Sequence, residues 1–358
     1  MSLPYLQPYF GLSNSLQTAQ AAAGGAGGIG GWVELARTTL GSAGDSIAVS
    51  SLADKRYYMV LTSKVGTANS GCWLQLNSDT GSNYAYRSSN NGGADGTGVS
   101  QTNGGAGTSA TGNPAFGVRY ISNLASKEKL VISNFIEQNT AGAGTSPNRR
   151  ELVCKWANTS NAVSTITELN IDSGNYSTGS EVVVLGWDPA DTHTSNFWEE
   201  LASVDLSGGA ATSLSTGTFT AKKYLWVQYY VDTTTSAANI EMQVGNTTID
   251  TGSNYARRAS ENGGADGTAT SDTKLNQIVA GGTTPIFANM FIVNNAANEK
   301  LAICHSIDQN TAGAGTAPNR EEDVGKWADT TNQIDIIQIS ATAGNMGTNT
   351  IMKVYGSD

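Results

Sequence analysis

Apolar and polar residues alternate in short runs along most of this chain. "SIAVSSL", "RYYMVLTSKV", "CWLQLN", "FGVRYIS", "KLVISNFIE", "STITELNI" and "EVVVLGW" succeed one another between residues 46 and 187. A second series follows, with "KYLWVQYYV", "IEMQVG", "IFANMFIVN", "KLAICHSID", "QIDIIQISA" and "TIMKVYG". The runs are rich in Val, Ile, Tyr, Trp and Thr, and Gly, Asn, Asp and Ser separate them. A period of two places alternate side chains on opposite faces, as in half-buried strands. No segment carries a helical stripe of useful length. Around eight strands in about 160 residues predict an antiparallel β-sandwich, most simply a jelly roll.

The two series are copies of one another. "WVELARTTL" at 32–40 is answered by "WEELASVDL" at 198–206, and "GSNYAYRSSNNGGADGT" at Gly81 by "GSNYARRASENGGADGT" at Gly252, 171 positions on. A further block, "QNTAGAGTSPNRRELVCKWANT" at 138–159, recurs as "QNTAGAGTAPNREEDVGKWADT" at 309–330. A tandem duplication follows: repeat 1 over 32–188, a short linker at 189–196 and repeat 2 over 197–358. Residues 1–31 stand apart. Leu3, Tyr5, Leu6, Tyr9, Phe10, Leu12 and Leu16 precede "AAAGGAGGIGG", so this segment reads as an apolar docking arm on a flexible linker.

Composition narrows the function classes. Only 14% of the 358 residues are charged and 42 are Gly, which favours turn-rich β-structure. With 39% hydrophobic residues, the chain is not compositionally disordered. A formal net charge of −10, with no basic cluster, argues against nucleic acid as a partner. No run is long and apolar enough for a membrane span, and the N-terminal segment lacks the basic region of a secretory signal. Cys72, Cys154 and Cys304 are odd in number, and the repeat counterparts of the last two are Gly325 and Ser133, so they read as small buried hydrophobes.

The duplicated stretches supply the candidate site residues. In the first, Asp79, Asn83, Tyr84, Arg87 and Asp95 recur as Asp250, Asn254, Tyr255, Arg258 and Asp266. Asp and Asn close turns through backbone hydrogen bonds and Gly admits positive φ, which predicts a long ordered loop whose Arg is held by a loop carboxylate. The alternative is a Ca²⁺ site built from the same carboxylates, although no known calcium-loop spacing is present. In the second block Arg149, Glu151 and Trp156 recur as Arg320, Glu322 and Trp327. They predict a charged surface ladder, with each Trp lying over the end of its sandwich; an exposed Trp would instead offer a platform to a glycan.

Catalytic constellations are poor. His193 lies in the linker and His305 is matched by Asn134, so neither belongs to a repeated site. Neither a nucleophile elbow nor a zinc spacing is present, and "GAGGIG" at 25–30 follows no strand. The expectation is a non-enzyme without a cofactor.

"GGWVELARTTLGSAGDSIAVSSLADKRYYMVL", "DTGSNYAYR" with "NGGADGT", and "KEKLVISNFIEQNTAGAGTSPNRRELVCKWANTS" resemble a domain of structural proteins from marine bacteriophages and related environmental viruses. The resemblance covers nearly all of each repeat. It implies a virion component, capsid-associated or in a tail or fibre, assembled in the host cytoplasm. It brings no catalytic residues. The expected partners are further copies of the chain, as a homotrimer or larger assembly, and other virion proteins. The alternatives are an adhesin that binds host-surface glycans and an extracellular filament or sheath subunit.

Overall fold

A computed structural model describes residues 31–107, 112–188, 196–279 and 283–358. The arm residues Leu3 to Leu16 lie outside the described residues, as does most of the linker. Among the described residues every regular element is a β-strand.

The first series comprises β1 (Val33–Thr39), β2 (Ser46–Val49), β3 (Tyr57–Val65), β4 (Cys72–Leu76), β5 (Tyr84–Asn90) and β6 (Gly96–Gln101). It continues with β7 (Ala106–Gly107), β8 (Pro114–Ser122), β9 (Lys129–Glu137), β10 (Asn148–Trp156), β11 (Ile166–Leu169) and β12 (Glu181–Trp187). A large sheet has the order β1-β12-β3-β8-β9-β10-β5-β6 and a small one β2-β11-β4-β7. The orders β1-β12-β3-β8 and β2-β11-β4-β7 are the two sheets of a jelly roll. The strands β9, β10, β5 and β6 extend the first of them.

The second series repeats this plan. Its strands are β13 (Glu199–Asp205), β14 (Ser213–Ser215), β15 (Tyr224–Val231), β16 (Ile240–Asn246), β17 (Thr248–Ile249), β18 (Tyr255–Glu261) and β19 (Gly267–Asp272). They are followed by β20 (Asn276–Ile278), β21 (Ile286–Val293), β22 (Lys300–Asp308), β23 (Asn319–Trp327), β24 (Ile336–Ala341) and β25 (Ile351–Ser357). The large sheet runs β13-β25-β15-β21-β22-β23-β18-β19, and the small one is β14-β24-β16-β17 with β20 paired to β16.

The prediction of a loop at "GSNYAYRSSNNGGADGT" needs correction: this stretch is the β5–β6 hairpin. Asn91 and Gly92 both have positive φ (51° and 69°), the requirement of a type I′ turn, and Asn262 and Gly263 repeat it. The expected charged ladder also belongs to a strand, β10, which pairs with β5.

Each repeat has an apolar core between its large and small sheets. A third cluster joins the repeats. On β3, Tyr58 and Val60 face the repeat 1 core, whereas Met59 and Leu61 face the other way; on β12, Val182 and Val184 alternate likewise with Val183 and Leu185. The outward set packs with Phe116, Val118 and Ile136 against Trp198, Tyr224, Trp226, Phe291, Leu301 and Ile303 of repeat 2. The two large sheets therefore lie face to face, giving four layers. This explains why "EVVVLGW" is continuously apolar: a strand covered on both sides has no polar face.

Candidate functional site

The two duplicated stretches meet inside each repeat. In the β5–β10 register Tyr84 stands opposite Trp156, and their rings stack with centroids 6.3 Å apart. The Trp156 indole donates to Asp79 Oδ2 at 2.6 Å, and the same carboxylate accepts from Asn83 Nδ2 at 2.9 Å and from the Gly81 amide at 2.8 Å. Repeat 2 is built alike: Trp327 Nε1 lies 2.8 Å from Asp250, which also accepts from Asn254 and the Gly252 amide. Partial burial works to raise the pKa of Asp79 and Asp250, but the indole, amide and backbone donors hold both below the usual carboxylate value. Tyr84 and Tyr255 bond the backbone of Leu76 and Val244 through their hydroxyls.

This geometry engages the Trp and Tyr rings and the Asp79 and Asp250 carboxylates in contacts within the protein. Trp156, Trp327, Tyr84 and Tyr255 are all buried, so none presents a ring to a sugar. Lys129 and Lys300 lie over the Trp156 and Trp327 rings, each 5.5 Å from the centroid. The Asp79 and Asp250 carboxylates are ringed by donors, where a calcium ion needs oxygen acceptors. Among the described residues no three His, Cys, Asp or Glu side chains gather as a metal site requires. The three cysteines are free and buried.

The remaining duplicated residues behave differently in the two copies. Arg87 and Asp95 pair at 3.2 Å in a solvent-exposed position of repeat 1. Their counterparts Arg258 and Asp266 are covered, because repeat 1 reaches across to them. Arg149 Nη2 lies 2.7 Å from Asp266 Oδ1 and its Nε 3.0 Å from Oδ2, a two-pronged pair only 5% and 2% exposed. Glu151 also bonds Arg149, and Glu322 lies 3.6 Å from it. Arg149 is thus an inter-repeat anchor rather than part of an exposed ladder, whereas the Arg320 guanidinium pairs with Glu322 of its own repeat and is 59% exposed.

Further contacts cross the same junction. The "QNTAGAGT" loop of repeat 1 offers the Gln138 and Thr140 carbonyls to Lys326 Nζ, the first at 3.0 Å, and the Gly142 amide to Glu299. Gly142 holds a φ of 84°, a conformation that glycine adopts without strain. Arg258 Nε donates to the Pro147 carbonyl at 2.8 Å, and the Ser271 amide donates to the Ala143 carbonyl. At the other end Glu181 accepts from Lys223 Nζ at 2.9 Å and from the Tyr224 hydroxyl at 2.7 Å.

Comparison with known proteins adds little. No protein-family model matches the sequence, and no curated protein matches it. A solved structure of human GIVD cytosolic phospholipase A2 with methyl γ-linolenyl fluorophosphonate aligns at 6% identity, over 78% of this chain and 33% of that one. Its TM-score is 0.13, too low for any argument about fold or chemistry.

Parts of the two large sheets remain open and apolar, a feature that the sequence reading did not single out. On repeat 1 Leu130, Ile132 and Val153 are exposed, and they line two concavities of about 520 and 430 Å³ with Tyr57, Tyr120 and Trp187. On repeat 2 Phe287 and Ile307 are exposed beside a third of about 440 Å³. Apolar side chains on the solvent face of an ordered sheet mark an interaction surface. Their signal in the sequence is that Leu130, Ile132, Val153, Phe287 and Ile307 break the alternation expected of a strand with one wet face.

Proposed function

We propose that this chain is a non-enzymatic structural subunit of a virion, of the marine phage type that its sequence resembles. The observation that carries this reading is the third core: large-sheet faces serve as joining surfaces, and two jelly rolls become one four-layer block. The duplicated polar residues hold turns, cover Trp rings or bind the neighbouring repeat, as befits a rigid building element. In this reading the chain self-assembles, as a homotrimer or larger, and the apolar segment at 1–31 docks onto other virion proteins.

The test is peptide mass spectrometry of density-purified virus particles from the source of the sequence. Peptides from both repeats should appear at a copy number in simple proportion to the major shell protein. Recovery of the chain from host cells but not from the particles would overturn the assignment.

A further inference from the structure

The joint between the repeats is only partly reciprocal. Repeat 2 contributes Leu301, Ile303, Val324, Phe291 and Tyr224, all buried in the joint. Their counterparts in repeat 1 are Leu130, Ile132, Val153, Tyr120 and Tyr57; of these Leu130, Ile132 and Val153 are exposed, while Tyr120 packs at the edge of the joint against Phe291. Repeat 1 contributes Phe116 and Ile136, whose counterparts in repeat 2 are the exposed Phe287 and Ile307. Part of each large sheet is therefore in use and part is free, while Met59 with Trp226 and Leu185 with Tyr355 line the joint from both copies. At these positions the free half-faces carry the same kinds of apolar side chain that pack within the chain, whereas Leu61, Val118 and Val183 of the joint are replaced by Gln228, Asn289 and Lys353 on repeat 2.

The polar contacts around the 138–147 loop and Arg149 follow the same pattern, whereas Glu181 at the other end corresponds to Ile351. Arg149 binds Asp266, while their counterparts Arg320 and Asp95 are 59% and 46% exposed. Lys326 and Glu299 receive the repeat 1 loop, and Lys155 and Glu128 occupy the corresponding exposed place on repeat 1, 3.0 Å apart. Arg258 binds the Pro147 carbonyl, and Arg87 and Pro318 stand ready in the same places. Ser271, whose amide takes the Ala143 carbonyl, has φ 48°, and its counterpart Ser100 has φ 51°. Apart from Glu181 and Ile351, the residue types at these paired positions are identical.

We infer that a second copy of this chain seats the free half-face of its repeat 2 on the free half-face of repeat 1. Phe287 and Ile307 of one copy would pack on Leu130, Ile132 and Val153 of the next, Arg320 would bind Asp95, and the loop at 309–316 would engage Lys155 and Glu128. The contact is heterologous, because each copy offers two different surfaces. Repetition therefore yields a ring if the rotation closes and an open staggered ribbon if it does not. This inference deepens the structural-subunit reading by naming the partner, yet it concerns the purified chain alone and stands apart from whether that chain is found in particles.

The test uses two full-length variants and sedimentation velocity. Ile132→Glu with Val153→Glu blocks the repeat 1 face, and Phe287→Glu with Ile307→Glu blocks the repeat 2 face. All four positions are already solvent-exposed, and circular dichroism and melting confirm that each variant is folded. Wild type should form multimers that grow with concentration, and each variant alone should be monomeric. An equimolar mixture should form a two-chain complex and nothing larger, since each partner supplies the one face the other retains. Arg320→Asp should weaken assembly and Asp95→Arg in the same chain should restore it. A monomeric wild type, variants that assemble as wild type does, or a mixture that stays monomeric would each overturn the inference. A particle protein that nonetheless fails this test would keep its assignment and lose only this contact.

Discussion

Arg149 and Asp266 form a two-pronged ion pair that is almost fully buried between the two repeats, while Arg320 and Asp95, the same residues exchanged between copies, face solvent. One sequence pair thus exists in two environments within a single chain, which permits an internally controlled comparison. Removing one partner of a buried pair leaves an uncompensated charge and costs about 3–5 kcal/mol, whereas exposed pairs are worth about 0–1 kcal/mol. Arg149→Ala should therefore lower stability by a few kcal/mol in urea unfolding, and Arg320→Ala should change the monomer by less than about 0.5 kcal/mol. Equal effects would mean that the junction does not exist in solution.

A second buried pair shows how the copies diverged. In repeat 1 Arg119 Nε lies 2.7 Å from Glu168 Oε1, with both side chains inaccessible, and the guanidinium also bonds Ser133 Oγ and the Cys72 carbonyl. The corresponding residues of repeat 2 are Met290, Ile339 and Cys304, all buried. Repeat 2 has in effect exchanged the ion pair for apolar packing. Arg119→Met alone or Glu168→Ile alone should cost about 3–5 kcal/mol, and the double substitution should be neutral or stabilising by up to about 4 kcal/mol. Melting of the three variants checks this, and an additive double variant would refute it.

Repeat 2 should be sensitive to pH. Burial raises the pKa of Asp323 to about 7 and that of Glu321 to about 8, the latter with help from Asp323. The unfolded chain ionises these groups near pH 4, so the folded state binds more protons between there and pH 7–8. Their contribution to stability is complete below the unfolded pKa and is lost as pH rises through the folded values. His305, whose pKa burial lowers, acts in the opposite direction below about pH 6.5, so the comparison must be made against a variant. From pH 5 to pH 8 the melting temperature of wild type should fall relative to that of Asp323→Asn. Parallel curves would exclude proton uptake at this site.

Asp79 and Asp250 should behave as structural acceptors. Asp79→Ala removes the partner of the Trp156 indole and should cost about 1–3 kcal/mol in urea unfolding. Calcium or EDTA should leave the melting temperature of wild type unchanged, because the carboxylate already receives three donors. A rise of several degrees with calcium would restore the ion-binding reading.

Much of the fold was legible in the sequence. Alternation in "SIAVSSL" and "KLVISNFIE" marked strands, and the identity of the two copies fixed the tandem plan. The hairpin at Asn91-Gly92 was missed because its strands, "YAYRSSN" and "GTGVSQ", carry few apolar residues, and the second lies at the edge of the sheet. The inter-repeat core was missed because contact between copies leaves no periodic signature of its own. Its trace was the unbroken apolar run at 182–185. The difference between Arg149 and Arg320 could not be read at all, since identical sequences acquire different environments only when one copy sits on the other.

The most direct measurement of the face-to-face junction is to place a protease site within 189–195, cut the folded protein there and determine the mass of the product without denaturant. Repeats joined by a shared apolar core and the Arg149–Asp266 pair should remain together at the mass of the uncut chain, and Arg149→Ala with Phe116→Ala should release them. Separation of the two halves of the otherwise unaltered protein immediately after cleavage would contradict the four-layer arrangement and the assembly mode built on it.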